Sequence, residues 1–157
     1  MRQAVVVRAV WAVALAGLVV LAGAAAGNRT FRNDRSVDIT SPAPLSIVST
    51  PFDINWRGSA RRYAVFVDVA PIAVGGSFRD LADPNCQRDP RCQPGDAYLS
   101  RLGVYTATGN HVSIPSLGDL IGVSAKQPHP LHVATVVVMD GHGRRVGSGA
   151  WRVEFRA

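Results

Sequence analysis

The residues best suited to chemistry lie between two runs of strand-like sequence, in a stretch rich in Gly, Pro, Asp and Arg. Cys86 and Cys92 enclose the segment Gln-Arg-Asp-Pro-Arg and are flanked by prolines. Two cysteines so placed predict a disulfide that shapes a loop, provided that the domain lies in an oxidising compartment. A loop this short gains only about 2 kcal/mol from closure. A zinc site would need further ligands at suitable spacing, and the sequence supplies none nearby.

The same stretch contains a candidate binding loop. Its members are aromatic, basic and acidic side chains: Phe78, Arg79, Asp80, Asp83, Asp89 and Tyr98. Clustered carboxylates have the ligand chemistry of a calcium site, but this spacing matches no calcium loop and arginines are interleaved. Mixed charges in one segment are typical of a solvated loop that neutralises itself. We therefore expect binding residues here, with no metal and no cofactor.

The rest of the sequence shows no spacing of residues that is typical of a catalytic site. His129 and His132 are separated by a proline at the start of a strand, which disfavours a shared metal geometry. No set of nucleophile, base and orienting group can be read from the spacing, so an enzyme is not expected. Phe78, Tyr98 and Tyr105 offer a stacking surface for sugars beside the long loop, but aromatic residues are sparse and packing beneath the loop is the favoured use.

Most of the positive charge lies near the N-terminus. The chain has a formal net charge of +6 and a pI near 10.3. Residues 1–35 hold five arginines and a single aspartate, a net +4, which leaves +2 for the remainder. Because the basic residues flank an apolar segment, they favour membrane insertion over phosphate binding. We expect no nucleic-acid partner.

That apolar segment, residues 9–27, carries no charge. As a helix it would cover roughly 28 Å, close to the hydrocarbon thickness of a bilayer. Its end, Ala24-Ala25-Ala26, also offers a signal-peptide cleavage site. The arginines that follow favour an uncleaved anchor, and the cysteines favour an outside location for the C-terminal part. We predict a single-pass protein of the cell membrane, with secretion after cleavage as the alternative.

The strand pattern is strongest at the C-terminal end. Residues 131–139 are β-branched and apolar on both faces, as in a central strand buried on two sides. Asp140-Gly141-His142-Gly143 supplies turn residues, and Trp151, Val153 and Phe155 then alternate with charged residues, which predicts a hairpin. Further strand signals lie at residues 37–39, 45–48, 52–57, 63–69, 102–106 and 112–114. Residues 52–57 and 63–69 are close enough to predict a second hairpin.

Several short strands without a long amphipathic helix favour an all-β antiparallel sandwich. The opening Ile39-Thr40-Ser41-Pro42, the strands at 52–56 and 63–69, and the hairpin 131–155 together resemble bacterial immunoglobulin-like and fibronectin-III-like extracytoplasmic domains. The resemblance is one of fold and covers residues 36–157. It implies an immunoglobulin-like sandwich that presents recognition residues on its loops.

We therefore predict three parts: a membrane anchor or signal peptide (1–27), a basic tether (28–35) and an immunoglobulin-like sandwich (36–157) with a long insertion at about 71–100. The expected function is a non-enzymatic interaction or scaffold module of the cell envelope. The alternative is a secreted or anchored polysaccharide-binding module, and a metal-dependent hydrolase is less favoured. The partner would be an envelope protein or a polysaccharide. We also expect that a short Gly/Ser turn could replace residues 75–98 of the insertion without loss of the fold, and that this would abolish partner capture.

Overall fold

The computed structural model of the chain describes residues 36–117 and 129–157. The predicted anchor (1–27) and tether (28–35) therefore lie outside the described residues. Within these ranges, the chain forms two antiparallel sheets and a few short helical segments, which confirms the all-β class.

The strands are β1 (Val37–Ser41), β2 (Phe52–Gly58), β3 (Tyr63–Val67), β4 (Val104–Ala107), β5 (His111–Ile114), β6 (Leu131–Val138) and β7 (Trp151–Arg156). One sheet has the order β1-β2-β5, and the other has the order β4-β3-β6-β7. The connection between β3 and β4 contains a 3₁₀ helix (Phe78–Leu81) and two short α-helices, α1 (Pro84–Arg88) and α2 (Asp96–Arg101). Hence the predicted insertion at 71–100 joins two neighbouring strands of the four-stranded sheet.

The C-terminal hairpin forms as predicted. β6 and β7 pair antiparallel, with Leu131 opposite Arg156 and Val136 opposite Trp151. β6 also pairs with β3, so it occupies a central position in its sheet. The alternation of apolar and charged residues along β7 thus places Val153 and Phe155 in the core, as the period of a strand requires.

The predicted hairpin of residues 52–57 with 63–69 is wrong. β2 pairs with β1 and β5, whereas β3 pairs with β4 and β6 in the other sheet. The connection crosses between the sheets, and the amide of Ala60 donates a hydrogen bond of 2.9 Å to the Tyr63 hydroxyl. Strands that face each other across a core show the same apolar alternation as strands that lie side by side, so the pattern did not distinguish the two arrangements.

Residues 45–48, which the sequence predicted as a strand after the prolines, pair with β7 of the four-stranded sheet. The amide of Leu45 donates to the Glu154 carbonyl (2.6 Å), and the amide of Val48 donates to the Arg156 carbonyl (2.8 Å). Ile47 forms a parallel bridge with Arg156. Residues 45–48 therefore cover part of the outer edge of β7, which would otherwise present unpaired backbone groups.

The main core lies between the two sheets. Its largest fully buried members include Ile54, Tyr63, Ile114 and Phe155. The rings of Trp56 and Tyr63 meet edge to face at a centroid distance of 5.2 Å. This arrangement is one that aromatic pairs prefer, and it joins the two sheets near the crossing connection.

A second core lies on the outer face of the four-stranded sheet. It consists of the buried side chains of Ala64, Phe66, Ile72, Leu99, Val104, Val137 and Met139. Partly buried hydrophobic residues of the insertion pack against it: Phe78, Leu81, Tyr98 and Leu102, together with Val69. Because all five residues of β3 are buried, this strand is covered on both faces. The insertion is thus a third layer of the domain, and the expectation that a short turn could replace it is not supported by this packing.

Candidate functional site

A cleft of about 760 Å³ opens where the insertion and the β6–β7 turn rise above the outer face of the four-stranded sheet. Strand register identifies its floor. Thr106 lies opposite Ala64 in the β3–β4 ladder, and the amide of Met139 donates to the carbonyl of Arg62 (3.0 Å). Since side chains along a strand alternate between faces, Arg62 and Thr106 share the face of Ala64 and Phe66. They extend that face beyond the end of the second core.

One wall of the cleft comes from the insertion, whose shape the disulfide restrains. Cys86 and Cys92 are bonded to each other, as their spacing predicted. Inside the closed segment, the carbonyls of Gln87 and Pro90 accept hydrogen bonds from the Arg79 guanidinium at 3.1 and 3.4 Å. Arg79 therefore ties the 3₁₀ helix to the disulfide loop, and both line the cleft.

The opposite wall is the turn between β6 and β7. The Asp140 carboxylate accepts hydrogen bonds from the amides of His142 (2.8 Å) and Arg144 (2.9 Å). The bond from the Arg144 amide is the main cause that lowers the pKa of Asp140 below its ordinary value, and the amide of His142 adds to it. The turn thus has a fixed backbone, on which the side chains of His142 and Arg144 remain exposed at the rim.

The three aspartates of the candidate binding loop accept hydrogen bonds from backbone amides of the insertion. Asp80 accepts from the amide of Ser77 (2.8 Å), and Asp89 accepts from the amide of Arg91 (2.8 Å). Asp83 precedes α1 and accepts from the amides at its start, Asn85 and Cys86, at 2.9 and 3.2 Å. An aspartate in such a position satisfies amides that have no partner within the helix. None of these three carboxylates lines the cleft described here.

The aromatic and basic members of the candidate loop divide between packing and the cleft. Phe78 and Arg79 line the cleft. Tyr98 packs against the second core, and its hydroxyl donates to the Leu81 carbonyl (3.2 Å). Tyr105, the other tyrosine considered for sugar stacking, is buried in the main core, and this burial raises the pKa of its phenol. Packing explains both tyrosines.

Two arginines of the cleft were missed by the sequence interpretation. Arg62 precedes β3 and Arg144 lies in the turn after β6, so they are far from the insertion in sequence. The signal that was present is a pair of adjacent arginines at each place, 61–62 and 144–145. Only the pairing of β3 with β6 brings the two pairs to the same end of the sheet.

Arg145 differs from its neighbour because it is buried. Its Nη1 donates to the Ile72 carbonyl (2.7 Å), and its Nη2 donates to the carbonyls of Ser148 (3.4 Å) and Gly149 (3.3 Å). Burial lowers the pKa of this guanidinium. The side chain thereby joins the start of the insertion to the β6–β7 connection, and so positions the two walls of the cleft.

His132 and Asp68 form a second polar pair, at the end of β3 remote from Arg62. The Nδ1 of the buried His132 lies 2.6 Å from Asp68 Oδ2, and the amide of Val133 donates to Asp68 Oδ1 (2.8 Å). The imidazole stacks on Phe155 at a centroid distance of 5.6 Å. The pair joins the end of β3 to β6, and the partner of the His132 imidazole is the Asp68 carboxylate.

No group of three or more His, Cys, Asp or Glu side chains in residues 36–117 and 129–157 has the proximity of a metal site. No helix in that same part of the chain is long and apolar enough to cross a bilayer.

Comparison of the chain with protein-family models, with curated proteins and with solved structures gave no match.

Proposed function

We propose that this chain is a non-enzymatic interaction module of the cell envelope, held at the membrane by residues 9–27 with its sandwich outside. The observation that carries the proposal is the cleft above the four-stranded sheet. Its two walls are fixed by a disulfide on one side and by the Asp140 carboxylate on the other. The volume of the cleft, about 760 Å³, lies in the range typical of ligand pockets.

The strand order supports an immunoglobulin-like or fibronectin-III-like assignment within this proposal. In the immunoglobulin fold, strands A, B and E share one sheet, and strands C, F and G share the other. The sheet β1-β2-β5 corresponds to A-B-E, and β3-β6-β7 corresponds to C-F-G. β4 then adds to the C edge, which is also where variable domains carry extra strands.

The outside location rests on two features of the sequence and one of the structure. Residues 9–27 are uncharged and long enough to span a bilayer as a helix. The Cys86–Cys92 disulfide fits an oxidising compartment. The intact mass of protein from the membrane fraction of the native host, with and without reductant, tests both. We expect the full-length mass and a gain of two hydrogens on reduction, whereas a protein already reduced would contradict the outside location.

A photo-cross-linking experiment tests the binding role. A photoreactive residue would replace Thr108, which is exposed and lines the cleft, in the full-length chain expressed in its native host. The matched control carries the same residue at Asp53, which is exposed on the three-stranded sheet. A discrete adduct in the membrane fraction from position 108 alone is expected. Absence of an adduct, or equal adducts from both positions, would show that the cleft is not the binding surface.

A further inference from the structure

The side chains of two arginines of the cleft have no hydrogen-bonding partner among the described residues, although the Arg144 guanidinium interacts electrostatically with the Asp140 carboxylate. Arg62 and Arg144 are exposed and line the cleft, and within residues 36–117 and 129–157 neither side chain takes part in a hydrogen bond or salt bridge. Arg79 donates to backbone carbonyls, which orient its guanidinium, and it forms no salt bridge within the same residues. Three positively charged groups on separate elements therefore border one concave surface.

The two aspartates of the cleft already have partners. Asp140 accepts from two backbone amides of its own turn, and Asp96 Oδ1 accepts from the Thr106 hydroxyl (3.2 Å). These bonds hold the carboxylates against the walls. The carboxylates keep their negative charge, so three arginines against two aspartates leave the lining with an excess of one positive charge (3 − 2 = +1). Arg forms its strongest hydrogen bonds with carboxylate and phosphate groups.

The remaining lining is apolar in part and favours a ligand that carries hydrophobic groups. Phe78, Pro90 and Pro94 supply the accessible apolar groups, while Leu99 and Met139 border the cleft from the second core, in which they are buried. A polysaccharide would gain most from an open aromatic face on which sugar rings stack. Tyr98 and Tyr105 are both committed to packing, and Phe78, which lines the cleft, is itself packed in part against the second core. One partly covered ring offers a sugar little of such a face.

The turn also disfavours a phosphate ligand. Phosphate sites in loops commonly use a concave set of free backbone amides. In this turn the amides of His142 and Arg144 donate to the Asp140 carboxylate, and the amide of Gly143 donates to the Asp140 carbonyl (3.3 Å). Anion recognition here must rely on arginine side chains, whose planar groups suit separate carboxylates along an extended chain.

We propose that the cleft binds a short acidic segment of a protein partner, in which carboxylate side chains alternate with apolar ones. The inference rests on the proposed function and names the ligand class of the same site. Carboxylates would pair with Arg62, Arg79 and Arg144 at the rim, while the apolar side chains would contact the hydrophobic part of the lining.

The test uses the full-length chain in uncharged detergent and a fluorescein-labelled octapeptide of alternating Glu and Leu, read by fluorescence anisotropy. The matched peptide has Gln in place of Glu. An oligouronate supplies carboxylates on a sugar backbone, so it distinguishes a glycan from a peptide. The variants are Arg62→Gln and Arg144→Gln, with Arg61→Gln as control, because Arg61 is an exposed neighbour that does not line the cleft.

We expect binding of the Glu-Leu peptide that weakens with salt, and a loss of about tenfold in affinity for each of the two cleft variants, as for one charged hydrogen bond. Arg61→Gln should bind within about twofold of the native chain, since it removes the same charge outside the cleft. Equal binding of the Gln peptide, an equal effect of Arg61→Gln, stronger arginine-dependent binding of the oligouronate, or no peptide binding would each overturn the proposal. If the adduct from position 108 is still formed, the interaction role survives and only the ligand class is wrong.

Discussion

Phe66 is fully buried although it lies on the outer face of the four-stranded sheet, where a two-layer sandwich would expose it to solvent. Its burial depends on the insertion, which covers this face. Truncation to alanine removes an aromatic ring from a packed layer, so Phe66→Ala should lower the free energy of unfolding by about 3–5 kcal/mol. If the insertion were a peripheral loop, the same change would be a surface substitution, with an effect within about 0.5 kcal/mol.

Urea unfolding of the full-length chain, followed by tryptophan fluorescence, measures this difference. The midpoint should fall with little change in the denaturant slope, and the melting temperature should fall on the order of 10 °C or more. Ile54→Ala is the matched control, because Ile54 is fully buried between the two sheets and does not depend on the insertion. That variant should lose about 2–5 kcal/mol in either case.

The comparison of the two variants decides the role of the insertion. A large loss for Ile54→Ala with a loss below about 0.5 kcal/mol for Phe66→Ala would refute the three-layer arrangement. It would also undermine the cleft, because the insertion could not then form a fixed wall.

Two other substitutions test the walls themselves. Replacing both Cys86 and Cys92 with serine should lower the free energy of unfolding by about 2 kcal/mol, the entropy of closing so short a loop, and reductant should have the same effect on the native chain. Alkylation of both thiols without reductant would contradict the disulfide. For Asp140, the lowered pKa means that its charge stabilises the fold above the ordinary aspartate pKa near 4, and that this stabilisation is lost as pH falls through the lowered value. The stability advantage of the native chain over Asp140→Asn, measured by denaturant unfolding between about pH 6 and pH 2, should therefore shrink towards low pH; an advantage that stays constant would show that the charge is not involved.

The local elements of this fold could be predicted from sequence because their signals are local. The alternation along β7 and the turn residues after β6 were sufficient for the C-terminal hairpin. The spacing of Cys86 and Cys92 was sufficient for the disulfide. The apolar residues of β3 identified a strand, although they did not reveal what covers its second face.

The pairing of strands was decided by the tertiary structure. The alternation of β2 and β3 shows that each strand buries one face, and it is the same for strands side by side as for strands across a core. In the structure β2 and β3 lie in different sheets, and β3 pairs with β4 and β6. Such pairings depend on contacts between distant residues, to which local pattern is insensitive.

The cleft shows the same division. The sequence predicted a binding loop in the insertion, and of its members Phe78 and Arg79 line the cleft. Asp80, Asp83 and Asp89 accept hydrogen bonds from backbone amides, which the sequence did not indicate, and their binding role stays a prediction.

At the other wall, Arg144 and Arg145 are adjacent and chemically identical, yet one is exposed at the rim and the other is buried against three carbonyls. The sequence determined which residues could carry charge and where strands and turns begin. The tertiary structure decided which of those charges face the cleft, because that depends on the layer that packs against each strand.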